Sequence, residues 1–231
     1  MVERTAVIIG ARGGIGAGLA DALDTDADYG QVVRLHRDSL PPVDILDEAS
    51  IASAAAMVAG AHGPLHMVIV ATGILHSAAK GPEKSLRELD PDWMLQNYRI
   101  NAVGPALVAK HFLPLMAKQA PICFAALSAR VGSISDNRLG GWHSYRASKS
   151  ALNMFIRNIA IEWQRKNAQS VIVGLHPGTV ETALSAPFKG NPAHERFTPA
   201  RAADDMLQVL HGLKPDQSGQ IFAYDGTMIA P

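Results

Sequence analysis

Arg4-Thr-Ala-Val-Ile-Ile9 runs into Gly10-Ala-Arg-Gly-Gly-Ile-Gly16, and Gly18-Leu-Ala-Asp-Ala-Leu23 follows almost at once. The first run is apolar and β-branched over the length of a strand, and the last has the pattern of a helix. The order is strand, glycine turn, helix. Gly10 can turn the chain sharply, Gly14 lets backbone approach a pyrophosphate, and Gly16 allows the helix to pack closely on the sheet. The helix start then offers unpaired N–H groups and the positive end of its dipole to a phosphate.

Working outward, apolar runs at about 4–9, 31–35, 67–71, 121–127, 170–175 and 220–223 alternate with helix-like segments, and a short additional strand is expected near Val43. Such alternation implies parallel strands with crossover helices on both faces. The run Met67-Val-Ile-Val-Ala71 lacks polar alternation, as strands covered on two sides do. The expected fold is α/β, one doubly wound Rossmann domain of about seven strands over residues 1–231.

A second pattern lies in Ser144-Tyr-Arg-Ala-Ser-Lys149, ahead of an apolar stretch with helical spacing. On a helix, Tyr145 and Lys149 share a face, so an ammonium lies beside a phenol. A neighbouring cation favours the phenolate and is expected to bring the tyrosine toward neutral pH.

The two motifs together, Gly10-x-x-x-Gly14-x-Gly16 and Tyr145-x-x-x-Lys149, resemble the short-chain dehydrogenase/reductase family over essentially the whole chain. Asp44, Asn101 in Asn-Ala-Val-Gly104, Pro177-Gly178 and Ser218-Gly-Gln-Ile-Phe222 fall in that family's order. Residues 127–137 and 145–153 resemble its C-factor and sniffer-type carbonyl reductases. The resemblance implies hydride exchange between a nicotinamide and an aldehyde, ketone or alcohol. Tyr145 would be proton donor, Lys149 would bind the nicotinamide ribose, and Asn101 would hold a water leading to solvent. A fourth member, a serine polarising the carbonyl, is not settled. Aligning Ser128-Ala129-Arg-Val-Gly132 with the usual Ser-Ser-x-x-Gly puts Ala129 at its place, leaving Ser128, Ser133 or neither.

For the cofactor, an acidic residue at the end of the second strand would bond a ribose 2′-hydroxyl and repel a 2′-phosphate. His36 stands there, with Asp38 just beyond, while Arg12 and Arg37 offer guanidinium groups. NADP(H) is therefore favoured over NAD(H). The resemblance adds Gly13 and Ile15 in the glycine loop, Asp44 and Ile45 at the adenine, Ala71-Thr72-Gly73 in place of Asn-Ala-Gly, and Pro177, Gly178, Val180 and Thr182 near the nicotinamide. The stretch 183–200, with Pro187, Gly190, Pro192 and Pro199, reads as a loop after the sixth strand that can cover substrate.

Composition sets the remaining expectations. With 21 Lys+Arg against 21 Asp+Glu and no basic stripe, neither nucleic acid nor an acidic membrane is an expected partner. Hydrophobic residues make up 48% and charged residues only 18%, which leaves room for self-association. Leu152, Phe155, Ile156, Ile159 and Trp163 recur at helical spacing, and the resemblance places that helix against another subunit in a homodimer or homotetramer. The first strand starts within a few residues of Met1 and no apolar run approaches the roughly 20 residues that span a bilayer, so the cytoplasm is expected. Cys123, the single cysteine, reads as core filler, and no cluster has metal-ligand spacing. His143 and His176 flank motifs and are read as pocket-shaping. The competing reading is an NADP(H)-binding sensor with little turnover, which Ala129 favours.

Overall fold

The computed structural model describes residues 4–188 and 195–231. Six of the apolar runs become parallel strands: β1 (Arg4–Ile9), β2 (Tyr29–Leu35), β3 (Met67–Val70), β4 (Ile122–Leu127), β5 (Ser170–His176) and β6 (Ile221–Ala223). They lie in one sheet ordered β2-β1-β3-β4-β5-β6, and a short antiparallel strand, β7 (Met228–Ile229), closes the edge. Successive residues of β1 feed opposite faces. Val7 and Ile9 join the core beneath α2 (Glu48–His62), α4 (Gly104–Phe112) and α5 (His143–Gln164), while Ala6 and Ile8 join the core beneath α1 (Gly14–Asp24) and α6 (Pro199–Gly212). Two buried faces explain the unbroken apolar strands. The order reverses direction at β1, whose neighbours are β2 and β3, and in open sheets of this kind ligands bind beyond the strand ends at such a point.

The seventh strand is not the one expected. Around Val43 no ladder forms, because Pro41 and Pro42 have no N–H to give and the following N–H groups turn to side chains. Asp44 N donates to Ser50 Oγ and Leu46 N to Asp44 Oδ1, leaving only Val43 N on the His36 carbonyl. The actual β7 comes from a tight Asp225-Gly226 turn, with Gly226 at φ +80° and Thr227 N bonded to Asp225 Oδ1. The expected loop over 183–200 follows β5, and Pro199 opens α6; Gly190 and Pro192 lie outside the described residues.

The apolar stripe of α5 is also reassigned in part. Leu152 and Ile156 are buried in the chain's own core and cannot meet a second subunit, whereas Phe155, Ile159 and Trp163 pack against that core and stay partly exposed. Met154 and Ile161 are the exposed apolar residues of that helix. Cys123 is buried, and burial pushes its thiol up to about 12. Among the described residues no helix is long and apolar enough to cross a membrane.

Gly16 tests the join between β1 and α1. A Cβ there would lie 2.2 Å from the Gly10 carbonyl oxygen, backbone that cannot move aside. Gly16→Ala should cost about 2 kcal/mol and lower Tm by roughly 4–8 °C in a thermal melt. An unchanged Tm would contradict the contact.

Candidate active site

Two cavities meet at the carboxyl ends of the strands. The first, about 540 Å³, is bounded by Gly10, Arg12 and Gly13 of the glycine turn, His36, Arg37 and Asp38 after β2, Asp44 and Ile45, and Ala71-Thr72-Gly73 after β3. Gly10 makes its turn at φ +89°, and any Cβ on it would press on the Ala71 backbone at 3.0 Å. α1 begins at Gly14, so its first-turn N–H groups point at this end. The cleft has the shape and donors for a dinucleotide. Thr72 Oγ1 is buried in its wall with no partner among the described residues, as a group waiting for a ligand would be.

The charges at the far end differ from expectation in one respect. Arg12 is not free, because its guanidinium is paired with Asp38. Arg37 borders the cleft and makes no ion pair among the described residues. His36 Nδ1 accepts a bond from Asp38 N at 3.1 Å, which holds the turn in place. Asp44 serves as a turn cap for Leu46, and its neighbour Ile45 presses so near α4 that a Cβ on Gly104 would lie 2.4 Å from Ile45 Cγ1.

The second cavity, about 310 Å³, is mostly apolar and carries Tyr145. Ile15, Leu75, Ser128, Ala129, Pro177, Gly178, Val180 and Thr182 border it, with Leu184 and Phe188 from the segment after β5. Leu184, Ser185 and Phe188, from the first part of the expected 183–200 loop, thus line the cavity. Ala129 and Leu75 pack against Tyr145 itself, and Trp142 meets the phenol edge-on with centroids 6.3 Å apart.

Tyr145 and Lys149 are on one face of α5, as their spacing required, and both are buried, with 9% and 3% exposure. Lys149 Nζ donates to the Leu127 carbonyl at 2.7 Å and lies 5.7 Å from the centroid of the Tyr145 ring. Burial pushes the phenol up to about 12 and the ammonium down to about 7. Burial alone moves the phenol away from neutral pH, opposite to the shift expected from the Tyr145/Lys149 spacing. Gly73, which borders the first cavity, lies beside this group: a Cβ on it would sit 3.3 Å from Asn101 Oδ1 and 3.7 Å from Lys149 Nζ.

Asn101 lies in a π-helical turn, Arg99–Val103, between α3 (Pro91–Tyr98) and α4. Such turns are frequent at functional sites. Its Oδ1 accepts from Ile74 N at 2.8 Å, and its Nδ2 donates to Ile74 O at 2.9 Å and Ser148 Oγ at 3.0 Å. One carboxamide thus ties the strand-end loop to the helix that carries Tyr145.

The two candidate serines separate. Ser128 reaches the second cavity but donates to Asn153 Oδ1 at 2.6 Å. Ser133 is buried outside it, where its hydroxyl accepts from Asp136 N and bonds the Pro231 carbonyl. Opposite the phenol stands Ala129.

Two further groups were missed in the sequence. Glu83 is buried, and its carboxylate accepts from Ser144 N at 3.2 Å and from Ser144 Oγ, capping α5 where Trp142 provides no side-chain cap. A carboxylate there suits the positive end of the helix dipole. Nothing local marks a glutamate so distant in sequence as a cap. Trp142 stands at φ +51°, a left-handed backbone that a bulky residue rarely adopts, after Gly140 and Gly141 of the same hand. The glycine pair was the available signal.

The depressed lysine gives a stability signature. Between about pH 7 and the ordinary lysine value, the unfolded chain holds a proton that the folded Lys149 lacks, so this group makes unfolding harder as pH rises through that window. Lys149→Met should flatten that rise in urea titrations from pH 7 to 10, and a parallel profile for the two proteins would show that Lys149 is charged in the fold.

The family model described as enoyl-(acyl carrier protein) reductase matches residues 10–209. The C-signal protein of Myxococcus xanthus is 33% identical over 167 residues, 72% of this chain and 93% of that one. The 1-hydroxy-2-glutathionyl-2-methyl-3-butene dehydrogenase of a Rhodococcus strain is 32% identical over 82% of this chain and 78% of its own length. The crystal structure of NADPH-bound carbonyl reductase from chicken fatty liver superposes with a TM-score of 0.85, at 25% identity and full coverage of both chains. With the glycine turn bordering the first cavity and Tyr145 the second, the chain belongs to the short-chain dehydrogenase/reductase family and is an oxidoreductase.

Proposed function

We propose that this protein is an NADP(H)-dependent reductase of aldehydes or ketones, running in reverse on alcohols, built as one dinucleotide-binding domain over residues 1–231. The observation that carries the reading is the buried Tyr145 phenol on the wall of an apolar cavity, one helical turn from Lys149 at the edge of the dinucleotide cleft.

The residues present fit the cofactor. The glycine turn admits backbone where any Cβ would collide, and α1 opens toward the pyrophosphate. Arg37 is available to clamp a 2′-phosphate, and no carboxylate stands at His36 to repel it. Arg12 contributes by leaving Asp38. Asp44, Ile45 and Thr72 of the first cavity would hold the adenosine side of the cofactor, and Pro177, Gly178, Val180 and Thr182 of the second would hold the nicotinamide. Bound NADPH supplies hydride.

Tyr145 gives the proton. Because burial holds the phenol well above neutral pH, it enters the reaction as an acid, which suits reduction. Lys149 turns from the Leu127 carbonyl to the ribose and stabilises the phenolate left behind. Asn101 keeps its carboxamide on Ile74 and Ser148, and the main chain that its π turn loosens holds the water leading from Lys149 to solvent. Apolar lining by Leu75, Val131, Leu184 and Phe188 selects hydrophobic carbonyl compounds.

A sensor that binds NADP(H) and turns over little is the second reading, favoured by Ala129 and by the C-signal relative. NADPH oxidation with a panel of hydrophobic aldehydes and diketones separates the two. Tyr145→Phe should lower kcat by at least about 10²-fold while leaving NADPH binding intact, and Arg37→Ala should weaken NADPH but not NADH by about tenfold or more. Tight NADPH binding with no turnover on any carbonyl would favour the sensor.

The protein is further proposed to form a homodimer or homotetramer through the outer sides of α3 and α5, where Leu95 and Met154 are 59% and 61% exposed. Light scattering should give two or four times the chain mass, falling to one chain in Met154→Glu. A monomeric parent would refute this assembly.

A further inference from the structure

The family's carbonyl-polarising hydroxyl has no counterpart at residue 129, and the hydroxyls near it are engaged. Ser128 Oγ is bonded to Asn153, and Ser185 Oγ to the Val180 carbonyl and Thr182 N. Among the described residues neither ring nitrogen of His176 has a hydrogen-bond partner; the Thr179 and Thr182 hydroxyls of the same lining also lack one, but only at His176 is such an atom, Nδ1, closed off from solvent.

The strand geometry sets this imidazole on the α5 side of the sheet, in the lining of the cavity that carries Tyr145. A Cβ on Gly174 would meet Ser128 Cβ at 3.3 Å and Ile156 Cδ1 of α5 at 3.0 Å, so the α5 side of the sheet is the side that Gly174 faces. Side chains alternate along a strand, so His176, two residues on, emerges on the same side. Ser128 N donates to the Leu175 carbonyl at 2.7 Å, which sets Ser128 and Ala129 beside it. A proton on Nδ1 would be buried without an acceptor, an arrangement proteins avoid, so the proton belongs on Nε2, at the ring's reachable edge. Burial and the nearby Arg130 guanidinium hold the imidazole down to about 4, so it is neutral at physiological pH and has one N–H to give.

We propose that His176 is a catalytic residue that hydrogen-bonds the substrate's carbonyl oxygen, in the role that a serine at residue 129 would otherwise fill. This rests on the carbonyl-reductase reading above. Hydride goes to the carbonyl carbon and the Tyr145 proton to the oxygen; His176 keeps its proton and shares it with the oxygen as negative charge develops there. The C–O π bond is the one that breaks, and no further reactant is required.

The test is a double-mutant cycle on a carbonyl substrate that the parent reduces, with NADPH affinity followed separately by fluorescence. His176→Ala should lower kcat by about 10²-fold, the usual effect of removing one such donor, with NADPH affinity unchanged. Ala129→Ser should restore at least about tenfold when placed in His176→Ala, a clearly larger factor than it produces in the parent, because the new hydroxyl takes up a role that is vacant only there. His176→Gln, which keeps an N–H, should retain more activity than His176→Ala and guards against a loss of fold in the smaller variant. The inference is overturned if His176→Ala stays within about threefold of the parent, or if Ala129→Ser changes both backgrounds by the same factor. A parent that reduces no carbonyl, or a Tyr145→Phe equal to the parent, brings down the underlying reading as well. A Tyr145→Phe loss with an unaffected His176→Ala brings down this inference alone.

Discussion

A phenol and an amine are buried side by side with no counter-ion, and the rest of the structure is arranged around that constraint. Among the described residues neither Tyr145 nor Lys149 makes an ion pair, and burial drives both toward their neutral forms, the phenol up to about 12 and the ammonium down to about 7. Burying an uncompensated charge costs several kcal/mol, so the fold leaves them as an acid and a near-neutral amine. A ligand crossing from the dinucleotide cleft into the apolar cavity passes both. Its hydroxyls and its developing oxyanion are the partners that the protein itself withholds.

Holding that pair in place takes three separate tethers on α5 and its neighbours. Glu83 caps the first turn through Ser144, Asn101 ties the helix to Ile74 through Ser148, and the tight glycine contacts between Gly16 and Gly10 set the cleft that faces it. The Glu83 and Asn101 tethers both draw on the chain that follows β3, and the glycine contacts on the end of β1, so the site depends on those two neighbouring strands being in register. The apolar floor made by Ala129 and Leu75 gives the phenol packing in place of a hydrogen bond. Its orientation is thus fixed without satisfying its proton.

What the sequence revealed follows from range. The strand–glycine turn–helix opening and the Tyr145/Lys149 pair are local patterns whose geometry is dictated within a few residues, and both are found in place. The strand expected near Val43 fails because two prolines and side-chain acceptors take the ladder donors, a competition that apolar composition does not register. β7 went unread, because two residues of strand are too short for a periodic signal. The α5 stripe shows that periodicity says which face is buried and not what covers it: Leu152 and Ile156 lie against their own sheet. Glu83 and the separation of Ser128 from Ser133 depend on contacts between distant segments. The effect of Lys149 on Tyr145 depends on burial, which spacing alone does not supply.

The direct measurement is the ionisation of Tyr145 in the cofactor-free protein. With the four tyrosines labelled at Cζ and the Tyr145 signal assigned by its loss in Tyr145→Phe, ¹³C NMR across pH 6–12 reads the phenol alone. The account predicts a signal that stays protonated beyond pH 11. A phenol that titrates near or below its ordinary value of about 10 would mean that Lys149 governs it after all, and that the site is poised as a base.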